Sequence, residues 1–223
     1  MEEMRLFHVT SMDKGKQKVL IPRIPDISEV DEDVTTKRIS LAPTIKECIS
    51  GIGNAELWND EQFIRVYTLN IAGDDTNLVG WETLYETGKV KDAPLTHEHW
   101  YKEPIVPESY CEYRVDNIKT KSHFLVKASE KMRIIDIITE LGVSIPNRIK
   151  SKTAVEILDY YGSSDLIEGI KSRLVHKERV SDLDEKGIEN YKRIFGKEPE
   201  QFEDIQDYCE WKYVDDCRLT MIS

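Results

Sequence analysis

No stretch of this chain approaches the run of roughly 18 apolar residues that a membrane-crossing helix needs, so no membrane partner is expected. The four cysteines (Cys48, Cys111, Cys209 and Cys217) form no C-x-x-C pair, and no Cys/His spacing matches a zinc site. They read as reduced thiols of a cytoplasmic protein. The opening Met1-Glu2-Glu3-Met4 is acidic and lacks the basic and apolar regions of a secretory signal, which points the same way. There is no Walker A loop, no G-x-G-x-x-G, no nucleophile elbow and no H-E-x-x-H. The commonest nucleotidase, hydrolase and metalloprotease signatures are therefore missing. Positive charge is also short: 31 Lys and Arg face 42 Asp and Glu, a net −11, which argues against broad coating of nucleic acid. The deficit is uneven. Residues 1–116 carry 13 basic and 22 acidic side chains, residues 117–180 carry 12 and 8, and residues 181–223 carry 6 and 12. The basic middle can meet a polyanion locally.

What the chain does have is enough apolar content (39%) over 223 residues to bury a core. Residues 5–10 alternate as a strand, with Leu6, His8 and Thr10 facing one way and Phe7 and Val9 the other. Pro22 and Pro25 keep Arg23-Ile24 extended, and an acidic loop runs from Asp26 to Thr36. Residues 37–41 read as a second strand turning at Pro43 into a helix with Ile45, Cys48, Ile49 and Ile52 on one face. Residues 63–71 form the clearest strand, closed by Gly73-Asp74-Asp75. Tyr110 to Ile118 and Ser122 to Val126 add two more. After residue 128 the period changes to that of helices. Ser129 and Ser151 serve as caps, Gly142 and Gly162 as stops, and Asp165 to Leu174 as a third helix. Ser181-Asp182-Leu183-Asp184 has the form of a capping box before a fourth, and Pro199 opens a last helix on Phe202, Ile205, Tyr208 and Cys209. Residues 218–222 can form a final strand. The expected class is α+β, with a β-rich domain over 1–128 and a helical domain over 129–223.

The segment Leu6-Phe7-His8-Val9-Thr10, followed by the strand-to-helix turn over residues 39–52, resembles the start of the ADP-ribosyltransferase fold. The resemblance covers roughly residues 5–118. It implies that His8 grips the ribose of NAD while the residues after it, Thr10 among them, help hold the nicotinamide. Arg23 and Arg38 would meet the pyrophosphate, for which the guanidinium fork is suited. A surface ion pair with the Asp31-Glu32-Asp33 run is their plainer use. The family places an aromatic residue on the second strand to stack on nicotinamide. Here Ile39 or Ser40 stands in that place, and Ser40 joins His8, Thr10, Arg23 and Arg38 as a cofactor-binding candidate.

The family's third element is a carboxylate that orients the acceptor or the ribose. Two acids qualify. Glu98 sits in Thr96-His97-Glu98-His99-Trp100, and Glu112 in the strand Tyr110-Cys111-Glu112-Tyr113; Glu98 is preferred as the catalytic partner of His8. In an extended segment His97 and His99 share a face and Glu98 points away. His-x-His without a third ligand makes no metal site, so none is expected.

The expected function is an NAD-using ADP-ribosyltransferase-like protein that modifies a host macromolecule. The style resembles phage or mobile-element accessory proteins. The alternative is a catalytically silent protein that binds a nucleotide-like molecule or blocks a host protein in an anti-defence role. A third possibility is an interaction module whose acidic surface mimics nucleic acid. The helical half would recognise the target, with a weak nucleic-acid contact through Arg148, Lys150 and Lys152 in the loop between its first two helices.

Overall fold

The computed structural model of the chain describes residues 3–25, 33–52, 62–162, 165–179, 188–189, 192–194, 196 and 202–222. Its strands are β1 (Glu3–Ser11), β2 (Ile39–Leu41), β3 (Gln62–Ala72), β4 (Leu78–Val79), β5 (His99–Tyr101), β6 (Ser109–Val126), β7 (Val175–Arg179), β8 (Phe202–Gln206) and β9 (Tyr208–Met221). Its helices are α1 (Ile45–Gly51), α2 (Trp81–Glu86), α3 (Ala93–Thr96), α4 (Lys131–Glu140), α5 (Asn147–Lys150), α6 (Ala154–Tyr161) and α7 (Asp165–Arg173). The main sheet is antiparallel in the order β1-β3-β6-β9, and a smaller sheet has the order β2-β5-β4.

The alternation in β1 and β3 builds two cores, one on each face of the main sheet. Leu6, Tyr67, Leu69 and Ile71 pack with Ile39 and Leu41 of β2 and Tyr101 of β5. Val9, Ile64 and Val66 pack on the opposite face with Ile49 of α1, Val115 of β6 and Val214 of β9. β3 is buried without a break from Ile64 to Leu69, on both faces of the sheet, with Arg65 and Thr68 among the buried residues. A third core gathers α2 to α7 around Trp100, Leu125, Val126 and Tyr213. The long β6–β9 ladder serves two of these cores, since Val115 and Val214 belong to one and Leu125, Val126 and Tyr213 to the other.

The expected division into a β-rich half and a helical half is overturned by the C-terminal region. Residues 208–221 form β9, an edge strand of the main sheet, and residues 202–206 form β8. The i, i+3 spacing of Phe202, Ile205 and Tyr208 imitates a helix. Yet the run from Tyr208 to Thr220 is rich in aromatic and β-branched residues, and β6 offers it a matching partner across Tyr113–Val126. Pairing distant in sequence won over local periodicity. The chain is therefore mixed throughout, with four helices, α4 to α7, set between β6 and β7. The proposed box at Ser181–Asp184 lies outside the described residues.

Three smaller differences have local causes. The second cap in this region is Thr153, not Ser151: Thr153 and Glu156 close a reciprocal capping box at the start of α6. Residues 81–86, where no helix is expected from the sequence, form α2 behind Gly80. The two strands expected over 110–118 and 122–126 are one strand, β6, with a pairing irregularity between Asp116 and Thr120 where Asn117 adopts φ 54°. Gly142 and Gly162 end their helices at φ 79° and 63°, a conformation that glycine takes without strain. No helix among the described residues is long and apolar enough to cross a membrane.

Candidate functional site

A cleft of about 260 Å³ opens where β1, β2 and α1 meet, and its walls include His8, Thr10, Arg23, Arg38, Ser40 and Glu98. All six residues singled out from the sequence thus border one recess. A second recess, of about 310 Å³, shares His8, Arg23 and Arg38 with it and is otherwise lined by the segment from Gln17 to Ile21.

His8 sits mid-strand, opposite Tyr67 of β3. Its Nδ1 lies 2.8 Å from the Ser40 carbonyl oxygen. A carbonyl can only accept, so Nδ1 carries the proton and Nε2 keeps its lone pair. Loss of water around the ring lowers the His8 pKa, and the nearby charges of Arg23 and Lys14 act in the same direction against the Ser40 bond. His8 is therefore a neutral imidazole in a fixed tautomer, with Nε2 as an acceptor for a hydroxyl group. Thr10, two residues on and on the same face, is 4% exposed, and its Oγ1 has no hydrogen-bond partner among the described residues.

Arg23 and Arg38 are directly opposed. Each donates its backbone N–H to the other's carbonyl at 3.0 Å in an isolated antiparallel bridge. Arg23 is exposed, whereas Arg38 is 4% exposed. The Arg38 guanidinium lies 4.0 Å from the Trp100 ring centroid, and Nη1 donates to the carbonyls of Asp33 (2.7 Å) and Thr36 (3.3 Å). Its Nε has no hydrogen-bond partner among the described residues. Neither arginine forms an ion pair with a carboxylate among the described residues. The Asp33 carboxylate, the natural counter-ion, instead accepts from the backbone and hydroxyls of Thr35 and Thr36 and pairs with Lys89 at 3.2 Å. Those bonds, the Thr36 hydroxyl first, outweigh burial and hold Asp33 well below the usual carboxylate range.

Glu98 reaches the cleft from the turn before β5 and is half-buried, its Oε1 accepting from the Trp100 indole N–H at 2.9 Å. His97 and His99 border a different recess, beside Trp81 and Met4, but not because the segment is extended: His97 is the left-handed C-cap of α3 (φ 45°), and β5 begins only at His99. His97 pairs with Glu47 at 2.7 Å and His99 Nδ1 donates to the His97 carbonyl at 2.7 Å. Glu47 raises the His97 pKa. For Glu47, burial favours the neutral acid, but the bonds from His97 and Thr44 prevail and lower its pKa.

Sequence reasoning missed three cleft residues: Lys14, Glu47 and Cys48. Glu47 had a signal, since Thr44-x-x-Glu47 has capping-box spacing and Thr44 Oγ1 accepts from the Glu47 N–H at 3.2 Å. Cys48 is no nucleophile. Its thiol donates to the Phe7 carbonyl at 3.1 Å, and burial pushes its pKa far up. Glu112, the other acid weighed, is withdrawn from the cleft in a buried pair with Arg65.

No family model, curated protein or solved structure matches this chain. Its chemistry must be argued from the cleft alone. Among the described residues no three His, Cys, Asp or Glu side chains are grouped to hold a metal ion. Apart from the His8 imidazole, no aromatic side chain among the described residues borders the main cleft: it has no Phe, Tyr or Trp, and Tyr67 and Trp100 are both fully buried. Arg148 and Lys150 are exposed on α5, away from the cleft, and exposed Lys152 pairs with Glu156 at 2.9 Å.

Proposed function

We propose that the cleft binds a nucleotide-like ligand, NAD foremost, and that the protein is an ADP-ribosyltransferase-like enzyme directed at a host macromolecule. One observation carries this reading: Arg38 is a buried guanidinium, set opposite Arg23, with no carboxylate partner among the described residues. Buried charges are normally paired, and like charges directly opposite on paired strands are unfavourable. In a chain of net charge −11, a buried arginine faced by a second, exposed one on one cleft wall suits an external anion. A pyrophosphate matches the fork geometry of both. Two recesses flank the pair, which suits a ligand with phosphates in its middle and a ring at either end.

The residues fit the rest of such a ligand in part. His8 Nε2 would accept from a ribose hydroxyl, and the partnerless Thr10 hydroxyl and the half-buried Ser40 supply further polar contacts. NAD would bring an ADP-ribosyl group on a good leaving group, and the sugar gains positive charge as that bond breaks. The Glu98 carboxylate, held by Trp100, would stabilise that charge and orient the acceptor. The reading includes a cytoplasmic setting, recognition of the target by the region around α4 to α7, and an accessory role of the phage or mobile-element kind.

A second reading, a catalytically silent nucleotide binder in an anti-defence role, is favoured by the lack of a Phe, Tyr or Trp ring among the described cleft residues. The test is calorimetric titration with NAD and ADP-ribose, with free nicotinamide measured in parallel. Binding lost in His8→Ala, with nicotinamide release lost in Glu98→Gln, supports the enzyme. Binding without release supports the silent binder. Absence of binding to either ligand refutes both.

A further inference from the structure

The geometry assigns Trp100 as the positioning residue of the cleft: a buried base plate that holds Glu98 by its edge and Arg38 by its face. The assignment builds on the cleft described above, but its first test needs no ligand.

Trp100 is 0% exposed and does not border the cleft, so it is not a contact residue for a ligand. It nevertheless touches two residues that do. Its only polar atom, Nε1, donates to Glu98 Oε1 at 2.9 Å, and the Arg38 guanidinium lies 4.0 Å from its ring centroid. The indole offers both a donor at its rim and an electron-rich face for a cation, and it is the strongest of the aromatic partners for a guanidinium. An acid and a base are thus fixed on one rigid ring rather than on each other: Arg38 forms no ion pair among the described residues. Collapse of the two into a salt bridge would cancel the charges on which the cleft depends.

The third group is tied to the same place. In the β2–β5 ladder Ser40 stands opposite Trp100, and the Ser40 carbonyl is the acceptor that fixes His8. One rung of a three-residue strand pair therefore sets the imidazole, the guanidinium and the carboxylate. The rung is short, so the plate rather than a long ladder must supply the rigidity. Packing of Trp100 in the largest core, with Leu84, Tyr85 and Val90 of the α2 region, provides it.

The first test uses the four indole N–H signals of the four tryptophans in a proton–nitrogen correlation spectrum. The Trp100 signal is identified by its loss in Trp100→Phe. It should exchange slowly with solvent, and it should move in both Glu98→Gln and Arg38→Met while the other three stay. A Trp100 signal unmoved by both substitutions overturns the assignment.

The second test is affinity for ADP-ribose. Trp100→Phe keeps a ring under Arg38 and should bind within about twofold of wild type, whereas Trp100→Leu removes the ring and should bind about tenfold more weakly. Equal affinities in the two variants, with both folded, refute the base plate. Should wild type fail to bind ADP-ribose, the nucleotide reading falls, and the spectral test alone decides the role of Trp100.

Discussion

Glu112→Gln is the substitution that separates a structural acid from a functional one. In the protein Arg65 donates from Nε (3.0 Å) and Nη2 (2.9 Å) to the same oxygen of Glu112, and the two side chains are only 4% and 10% exposed. Lys16 adds a second positive charge 3.9 Å from that oxygen. Gln keeps the volume and an acceptor oxygen but removes the charge. Arg65 would then stay ionised in a site where it is nearly cut off from water, opposite Thr10 in the strand register and with Lys16 close by. Breaking one side of a buried pair costs roughly 3–5 kcal/mol; the acceptor that Gln retains places this case near the lower end, at about 3 kcal/mol. For a chain of this size that lowers Tm by about 6–12 °C. Replacing both partners, as Arg65→Met with Glu112→Leu, removes the orphaned charge and should recover most of the loss. Urea unfolding followed by tryptophan fluorescence measures both, with an unchanged m-value confirming that the same surface unfolds. A single variant within 0.5 kcal/mol of wild type, or a double variant less stable than the single, would refute the reasoning and return Glu112 to the list of catalytic candidates.

Two further outcomes follow from the same geometry. His97 is raised by Glu47, so its contribution is fully present below the unfolded value of 6.5 and fades as pH climbs through the raised folded value. His8 and His99 are depressed by burial, so they remove stability as pH falls below 6.5. His97→Gln should therefore flatten the loss of stability on the alkaline side while leaving the acid side intact, as read from unfolding midpoints between pH 5 and about 9. An unchanged profile would show that Glu47 and His97 do not pair in solution. Thr153→Ala opens the α6 capping box and should cost about 1 kcal/mol in urea unfolding, against less than 0.5 kcal/mol for Ser151→Ala. Equal effects would move the cap back to Ser151.

Much of the first half was legible because its signals are local. Period-two alternation in residues 5–10, β-favouring residues over 63–71, proline and glycine punctuation, and an apolar i, i+3, i+4 face after Pro43 all depend on neighbours in sequence. The same holds for α4 and α7. The cleft residues were reached through the resemblance: a histidine within the first strand and arginines near the edges of expected strands were the groups it pointed to. What failed depends on distance in sequence. Nothing local announces that Tyr208 to Met221 will find β6 a hundred residues earlier, and the spacing of Phe202, Ile205 and Tyr208 argues for the wrong element. Trp100 shows the same limit. Its neighbours made Glu98 conspicuous, but only the fold reveals that Arg38 lies on its ring.

The fate of the acidic run beside the arginines bears most directly on function. A solvated ion pair between Arg38 and Asp33 would have made the cleft an ordinary surface, and both residues lie within reach of each other. Instead Asp33 offers Arg38 its backbone carbonyl and turns its carboxylate to Thr35, Thr36 and Lys89. The Asp33 carboxylate is thus taken up by Thr35, Thr36 and Lys89, and among the described residues the guanidinium receives only dipoles and a ring face. Dipoles and a cation–π contact stabilise a buried guanidinium without neutralising it. That arrangement keeps a full positive charge at the cleft wall, where Arg23 and Lys14 reinforce it and where they depress the His8 pKa. The imidazole is kept neutral first by its burial, and these cations act in the same direction, which leaves Nε2 free to accept. Under the proposed function the arginines and His8 would act on one ligand, and a molecule bearing both phosphate and sugar hydroxyls, as a nucleotide does, is the chemistry that would use them together.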